Sequence, residues 1–242
     1  MSICAGLPAI IQSHMRAPML DIAMLLRAMI QQIEANWAVS PRRLKGQRPS
    51  PQNWRFRPMP DIAAHNPSPE KTLEKAIVNT ASDARWANQV PTASGLYEGH
   101  RDRHRNIDLV RRIVPGEYDF VELKVGSDTP TYAVMEVLQY AALYTFARRH
   151  YSEPERTQHE LLQAHTIHLR VLALRPFYRK ESVDALAFSI TEGLAAFCAT
   201  EALVWTMDFA FLAFPTSFVW PCGAEELQAA LQGIQPVVAA DV

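Results

Sequence analysis

The sequence predicts an α/β fold: a mixed central β-sheet flanked by helices, with a helical extension at the N-terminus. Three observations lead there. Short apolar runs of strand length recur at 106–114, 118–126, 165–174 and 207–214. Longer segments between them repeat their apolar residues every three to four positions, as helices do. The resulting order of helix, three strands, helix, strand, helix and strand suits a sheet with helices packed on it.

The elements follow in chain order. Ile22, Leu25, Leu26, Met29, Ile33 and Trp37 fall on one helical stripe, and Pro18 suits the first turn of that helix. The stretch SPRRLKGQRPSPQNWRFRPMPDIAAHNPSP carries seven prolines and several cations around Trp54 and Phe56, and reads as an extended connector. It is either a strap over the surface or a basic arm able to follow a phosphate backbone. A domain boundary is placed after it: 1–65 as helix and connector, 66–242 as the main domain. Ser68 can cap a helix opened by Pro69 and Glu70 and running to Thr80. Strand-like pieces come at 86–98, 106–114 and 118–126. A helix over 131–150, a strand at 165–174, a helix near 181–201 and the strand MDFAFLAF complete the series.

Composition excludes several classes. Among the 242 residues the net charge is −1, so any nucleic-acid contact must come from a local basic patch. Cys4, Cys198 and Cys222 are far apart and form no CxxC pair, which fits a reducing cytoplasm and neither a disulfide framework nor a zinc site. Asp21 and Arg27 interrupt the apolar run near residues 20–30, so no membrane span is expected there. His100 and His104 lie in a loop, and His165 and His168 project from opposite faces of a strand, so neither pair suggests zinc. No phosphate-binding glycine loop, dinucleotide fingerprint or serine-hydrolase elbow is present.

One strand stands out. In YDFVELKVGSDTP, residues two apart share a face, so Glu122 and Lys124 project together with Tyr118 and Phe120 behind them. This is either an ion pair on a solvated sheet face or part of an active site. A second acid, Asp108, lies on the preceding strand. Two carboxylates about 4 Å apart repel by roughly 4 kcal/mol at an effective dielectric near 20, and a divalent cation relieves that better than one lysine. Magnesium, with its preference for hard oxygen ligands, suits such a pair.

Glu74 on the first helix, Asp108 in NIDLV, Glu122 and Lys124 in FVELKV, and Gln139 on the following helix together resemble the PD-(D/E)XK nuclease superfamily over about residues 70–210. The resemblance implies a restriction-endonuclease-like fold and a metal-dependent phosphodiesterase acting on nucleic acid, DNA favoured over RNA. It implies Asp108 and Glu122 as ligands of Mg2+, with Mn2+ as a substitute, and Asp108, Glu122, Lys124, Glu74 and Gln139 as the catalytic set. Gln139 with Tyr140 is similar to the glutamine helix of the RecB-like branch. That branch prefers a tyrosine four residues after the glutamine, where this chain has Leu143, with Tyr144 one position later. Ile107 stands where the motif has proline. Arg101, Arg103 and Arg105, with Tyr140, are expected at the nucleic acid; Arg111, Arg112, Arg148 and Arg149 are further phosphate contacts or a solvated basic surface.

The alternative is a catalytically silent member of the fold that binds nucleic acid or a partner protein. The N-terminal helix then serves as a contact for a partner or a second copy. One geometric demand separates the readings. With a two-residue loop at Pro115-Gly116, paired residues across the hairpin sum to 231, and Asp108 faces Leu123, on the side away from Glu122. A shared metal site therefore requires an odd loop or a β-bulge between 109 and 121, with Gly116 supplying the special backbone conformation.

Overall fold

In the computed structural model of the chain, residues 2–16, 20–59, 68–81, 85–98, 102, 105–126 and 128–237 are described. They form, in order, α1 (Leu7–Met15), α2 (Ile22–Ala38), α3 (Pro41–Leu44), α4 (Pro69–Thr80), β1 (Trp86–Pro91), β2 (Asn106–Val114), β3 (Glu117–Lys124), α5 (Pro130–His150), α6 (Glu153–Thr157), β4 (Thr166–Ala173), α7 (Val183–Thr200), β5 (Thr206–Ala213), α8 (Ala224–Gln232) and the two-residue β6 (Gln235–Pro236). The strands make one mixed sheet in the order β1-β2-β3-β4-β5-β6. β1, β2 and β3 are antiparallel neighbours, β3, β4 and β5 run parallel, and β6 closes the edge antiparallel to β5. The parallel steps are bridged by α5 and α7, as parallel neighbours require.

Two apolar cores sandwich the sheet. On one side, Val110, Phe120, Leu169, Val171 and Phe211 meet α5 and α7; on the other, Leu109, Val121, Leu123, Leu172 and Leu212 meet Leu73 and Ile77 of α4 and Leu227 of α8. The alternation along β2, β3, β4 and β5 is the period-two signature of strands buried on both faces.

The N-terminal helix is not an appendage. Asp21 caps α2 through the N–H of Met24 at 2.8 Å, and Leu25, Leu26, Met29 and Ile33 are fully buried in the same core as α5 and α7. Its apolar stripe is therefore spent largely within the chain, with Trp37 at its end half-buried. The boundary expected near residue 65 likewise divides no core, because Trp54 of the connector is fully buried against Phe120 and Tyr144. That packing also removes Trp54 as a stacking surface for a nucleic acid.

Other expectations shift locally. Ser68 occupies the cap position of α4, but its hydroxyl donates to Glu70 at 2.8 Å rather than accepting from the helix. The strand expected over 86–98 ends at Pro91, and α1, α3, α6 and α8 appear in addition. Pro18, His100 and His104 lie outside the described residues. Among the described residues α7 alone is long and apolar enough to cross a membrane, with a mean hydropathy of 1.3. Its Val183, Ile190, Leu194 and Phe197 are buried in the core.

α2 and α7 approach most closely at Gly193, where a Cβ would stand 2.5 Å from Cβ of Ile22. Gly193→Ala forces the helices apart, and overpacking of this kind costs about 1–3 kcal/mol. We expect the melting temperature to fall by about 5 °C for a chain of this size, measured by scanning calorimetry.

Candidate functional site

The bulge demanded by the hairpin is present. Val114 pairs with Glu117, but Arg112 pairs with Tyr118, Arg111 with Asp119, Val110 with Phe120 and Leu109 with Val121, the register shifting between Arg112 and Val114. Ile113 is the extra residue. Gly116 turns the hairpin with φ of 83°, a left-handed conformation that glycine adopts without strain. Continuing the register beyond Leu109 sets Asp108 opposite Glu122. The regular ladder stops there, and Asp108 Oδ2 accepts the N–H of Leu123 at 3.2 Å. The side chain thus substitutes for a missing backbone acceptor.

Asp108, Glu122, Gln139 and Tyr140 line one cleft of about 150 Å³, together with Arg105, Asn106 and Glu136. Glu122 and Lys124 are 5% and 6% exposed, so they are not a solvated surface pair. Lys124 Nζ lies 3.0 Å from Glu122, 2.6 Å from Glu136 and 3.3 Å from Asp128. Burial acts to lower its pKa, but the Glu122 and Glu136 carboxylates outweigh it and hold the pKa above the usual lysine range. Lys124 is therefore an ammonium at every physiological pH. Glu122 accepts the hydroxyl of Tyr140. Burial, then the charges of Asp108 and Glu136, push its pKa well above the ordinary carboxylate value.

A second cluster adjoins the first. Lys71 of α4 sits 2.7 Å from Glu74 and 3.0 Å from Asp108. Gln89 Nε2 donates to Glu74 at 2.7 Å and to Asp108 at 3.3 Å. Gln89 adopts φ of 49° within β1, a left-handed conformation uncommon outside glycine and found where function holds the backbone in strain. Its own oxygen accepts from Asn106 Nδ2 at 3.1 Å, leaving Asn106 Oδ1 buried without a partner among the described residues.

The expected residues distribute unevenly. Asp108, Glu122, Lys124, Gln139 and Glu74 converge, Glu74 through Lys71. Arg105 joins them, its Nη1 3.5 Å from Gln139 Oε1. Tyr140 is at the cleft, but its hydroxyl is committed to Glu122 rather than offered to a ligand. Arg101 and Arg103 lie outside the described residues. The other arginines serve the scaffold: Arg111 pairs with Asp119 and Arg112 with Glu160, each at 2.6 Å. Arg148 lies over the Trp205 ring at 4.3 Å, and Arg149 pairs with Glu201 at 2.6 Å. Sequence reasoning missed Glu136, Lys71 and Gln89. Glu136 alone left a signal, as a carboxylate one turn before Gln139 on a helix that is otherwise apolar through its middle.

Charge at the site is lopsided. Asp108, Glu122, Glu136, Glu74 and Asp128 face two ammonium groups, Lys71 and Lys124. Among the described residues, no group of three His, Cys, Asp or Glu side chains is arranged to hold a metal ion. Asp108 and Glu122 remain a two-carboxylate set, which suits magnesium: that ion is typically held by one or two carboxylates, with waters and phosphate oxygens completing its shell. Comparison of the chain with protein-family models, curated proteins and solved structures yields no match.

Glu74 is fully buried, and burial, reinforced by the Asp108 charge against the opposing pull of Lys71, raises its pKa from 4.5 to about 8. Between those values the folded chain binds more protons than the unfolded chain, so this group's contribution to stability is complete below pH 4.5 and is lost as pH rises through 8. Glu74→Gln keeps a neutral side chain at all pH. In EDTA, the two proteins should melt together at pH 5, with the variant gaining about 2–4 °C per pH unit toward pH 8. Parallel melting curves across that range would contradict a raised Glu74 pKa.

Proposed function

We propose that this chain is a metal-dependent phosphodiesterase acting on nucleic acid, with DNA as the first substrate to test and a restriction-endonuclease-like arrangement of its sheet. The observation that carries the reading is the hairpin register. A single extra residue at Ile113 brings Asp108 across from Glu122, beside Lys124 and a cleft walled by Gln139. An isolated surface ion pair would need none of this and would contribute little to stability.

Asp108 and Glu122 would hold Mg2+, with Mn2+ as a substitute. Bound there, the ion would withdraw charge from the phosphate and lower the pKa of a water. The residues of the chain divide the remaining work. Lys124, kept protonated by Glu122 and Glu136, cannot take a proton from the attacking water; its charge offsets developing negative charge on the phosphate. Glu136 fixes the position of that ammonium. Tyr140 orients Glu122, and Gln89 with the N–H of Leu123 orients Asp108. Arg105, at the mouth beside Gln139, is placed to meet a phosphate oxygen.

A second reading, a non-cutting nucleic-acid module, draws on the hold of Lys71 upon Asp108, since an acid already neutralised has less need of a cation. The same experiments separate the two. Lys124→Ala should lower plasmid cleavage in Mg2+ by about 10²–10³-fold, the scale for removing one charge-stabilising donor, while circular dichroism is unchanged and Mn2+ still binds by calorimetry. Asp108→Asn should abolish Mn2+ binding. Lys71→Met should tighten Mn2+ binding, because the ammonium and the ion compete for Asp108. Full cleavage by Lys124→Ala would overturn its role, and no cleavage by the unmodified chain in either metal would favour the non-cutting module.

A further inference from the structure

A second cavity, of about 340 Å³, opens along the same helix that walls the candidate cleft. Its lining includes Trp37 of α2, Arg43 of α3, Arg48, and Phe146, His150 and Tyr151 at the end of α5. The chemistry is mixed in a particular way. Phe146 is buried beneath, with Trp37 edge-on to it at 6.1 Å and His150 stacked on it at 4.7 Å. Trp37 is half-buried and His150 exposed, so each presents ring surface to the cavity. Arg43 and Arg48 are exposed and have no ion-pair partner among the described residues. Glu155 also lines the space, but its carboxylate takes the N–H and hydroxyl of Ser152 at 2.8 and 2.6 Å. Ring faces beside unpaired guanidinium groups are the chemistry of a nucleobase with its phosphate.

Its position relates it to the cleft. Gln139 and Leu143 line the cleft, and Phe146 and His150 line this cavity, each pair seven residues apart on one stripe of α5. At 1.5 Å per residue that is about 10 Å. Thr92 lines the cleft, and just beyond it Ser94 accepts from Asn53 at 2.9 Å, whose Nδ2 also reaches the Tyr151 hydroxyl at 3.2 Å. Arg42 lies against Gly95 of the same loop.

We propose that this cavity holds one nucleotide of a single-stranded nucleic acid, its base on Trp37 and His150 and its phosphate on Arg43 and Arg48, while a phosphate further along the strand enters the Asp108–Glu122 cleft. A paired base could not offer its face to these rings, which is why the strand is single. The proposal rests on the phosphodiesterase reading for the second half of that statement only.

The test uses the full chain in EDTA, with fluorescence anisotropy of a labelled 12-nucleotide oligodeoxythymidylate and of a 12-unit abasic strand carrying the same phosphates. The unmodified chain should bind the base-bearing strand about tenfold more tightly than the abasic one, and His150→Ala should erase that preference. Arg43→Gln with Arg48→Gln should weaken both strands at least tenfold and reduce the salt slope by about 1.4, as loss of two phosphate contacts on a single strand requires. Unchanged affinity in the arginine variant, its fold verified by circular dichroism, overturns the site. Thymidine monophosphate binding as tightly as the strand would also overturn it, since the ligand would then be a free nucleotide. Hydrolysis of bis-p-nitrophenyl phosphate in Mn2+ needs only the cleft and reports separately. A chain that cleaves this diester but ignores the arginine changes disproves the subsite alone. A chain that cleaves nothing yet needs Arg43 and Arg48 for the strand keeps the subsite and loses the phosphodiesterase reading.

Discussion

One residue too many in the β2–β3 hairpin sets the rest of the molecule. Side chains alternate across a sheet, so a one-residue slip exchanges every face. With Ile113 bulged, Val110 and Phe120 turn to the α5 core, while Leu109 and Val121 turn to the α4 core. Both faces are buried, so either wrong register would place apolar side chains correctly on one strand and wrongly on its neighbour. The same slip sets Asp108 against Glu122. Folding and the candidate chemistry thus draw on a single irregularity, and the apolar pattern holds it in place more firmly than any contact within the cleft.

Electrostatics at the cleft run against the grain of a stable core. Burying carboxylates is costly unless each is paired, and here five acids share two lysines. Neutral donors tie down three of the five as well: Tyr140 to Glu122, Gln89 to Glu74 and Asp108, and the Leu123 amide to Asp108. The strained backbone at Gln89 belongs to this scheme, since its conformation carries the side-chain amide to both Glu74 and Asp108. Crowded acids with raised pKa values, together with local backbone strain, are a pattern found at functional sites.

Much of this was legible in the chain itself. The strand and helix periods around 106–150 stand out because those elements are buried and their polar residues are few, so Asp108, Glu122, Lys124 and Gln139 interrupt otherwise apolar patterns. The need for a bulge followed from counting across the loop. What could not be read was whatever depends on elements far apart in sequence. Lys71 and Gln89 look like ordinary polar residues until α4 and β1 fold against β2. Arg111, Arg112, Arg148 and Arg149 resemble a basic surface until their partners Asp119, Glu160, Trp205 and Glu201 are in place. The stripe of α2 reveals that it must be buried but not by what, and only the fold supplies α5 and α7.

That last pairing bears on how the chain is made. Arg27 of α2 meets Glu201, just beyond α7, across 174 residues of sequence. At the usual pace of synthesis, about 5–20 residues per second, α2 leaves the ribosome roughly 9–35 s before that partner exists. Through that interval Leu25, Leu26, Met29 and Ile33 have at most α1 and later α5 to cover them. The nascent chain therefore carries an incompletely covered apolar helix for most of its translation, until α7 arrives.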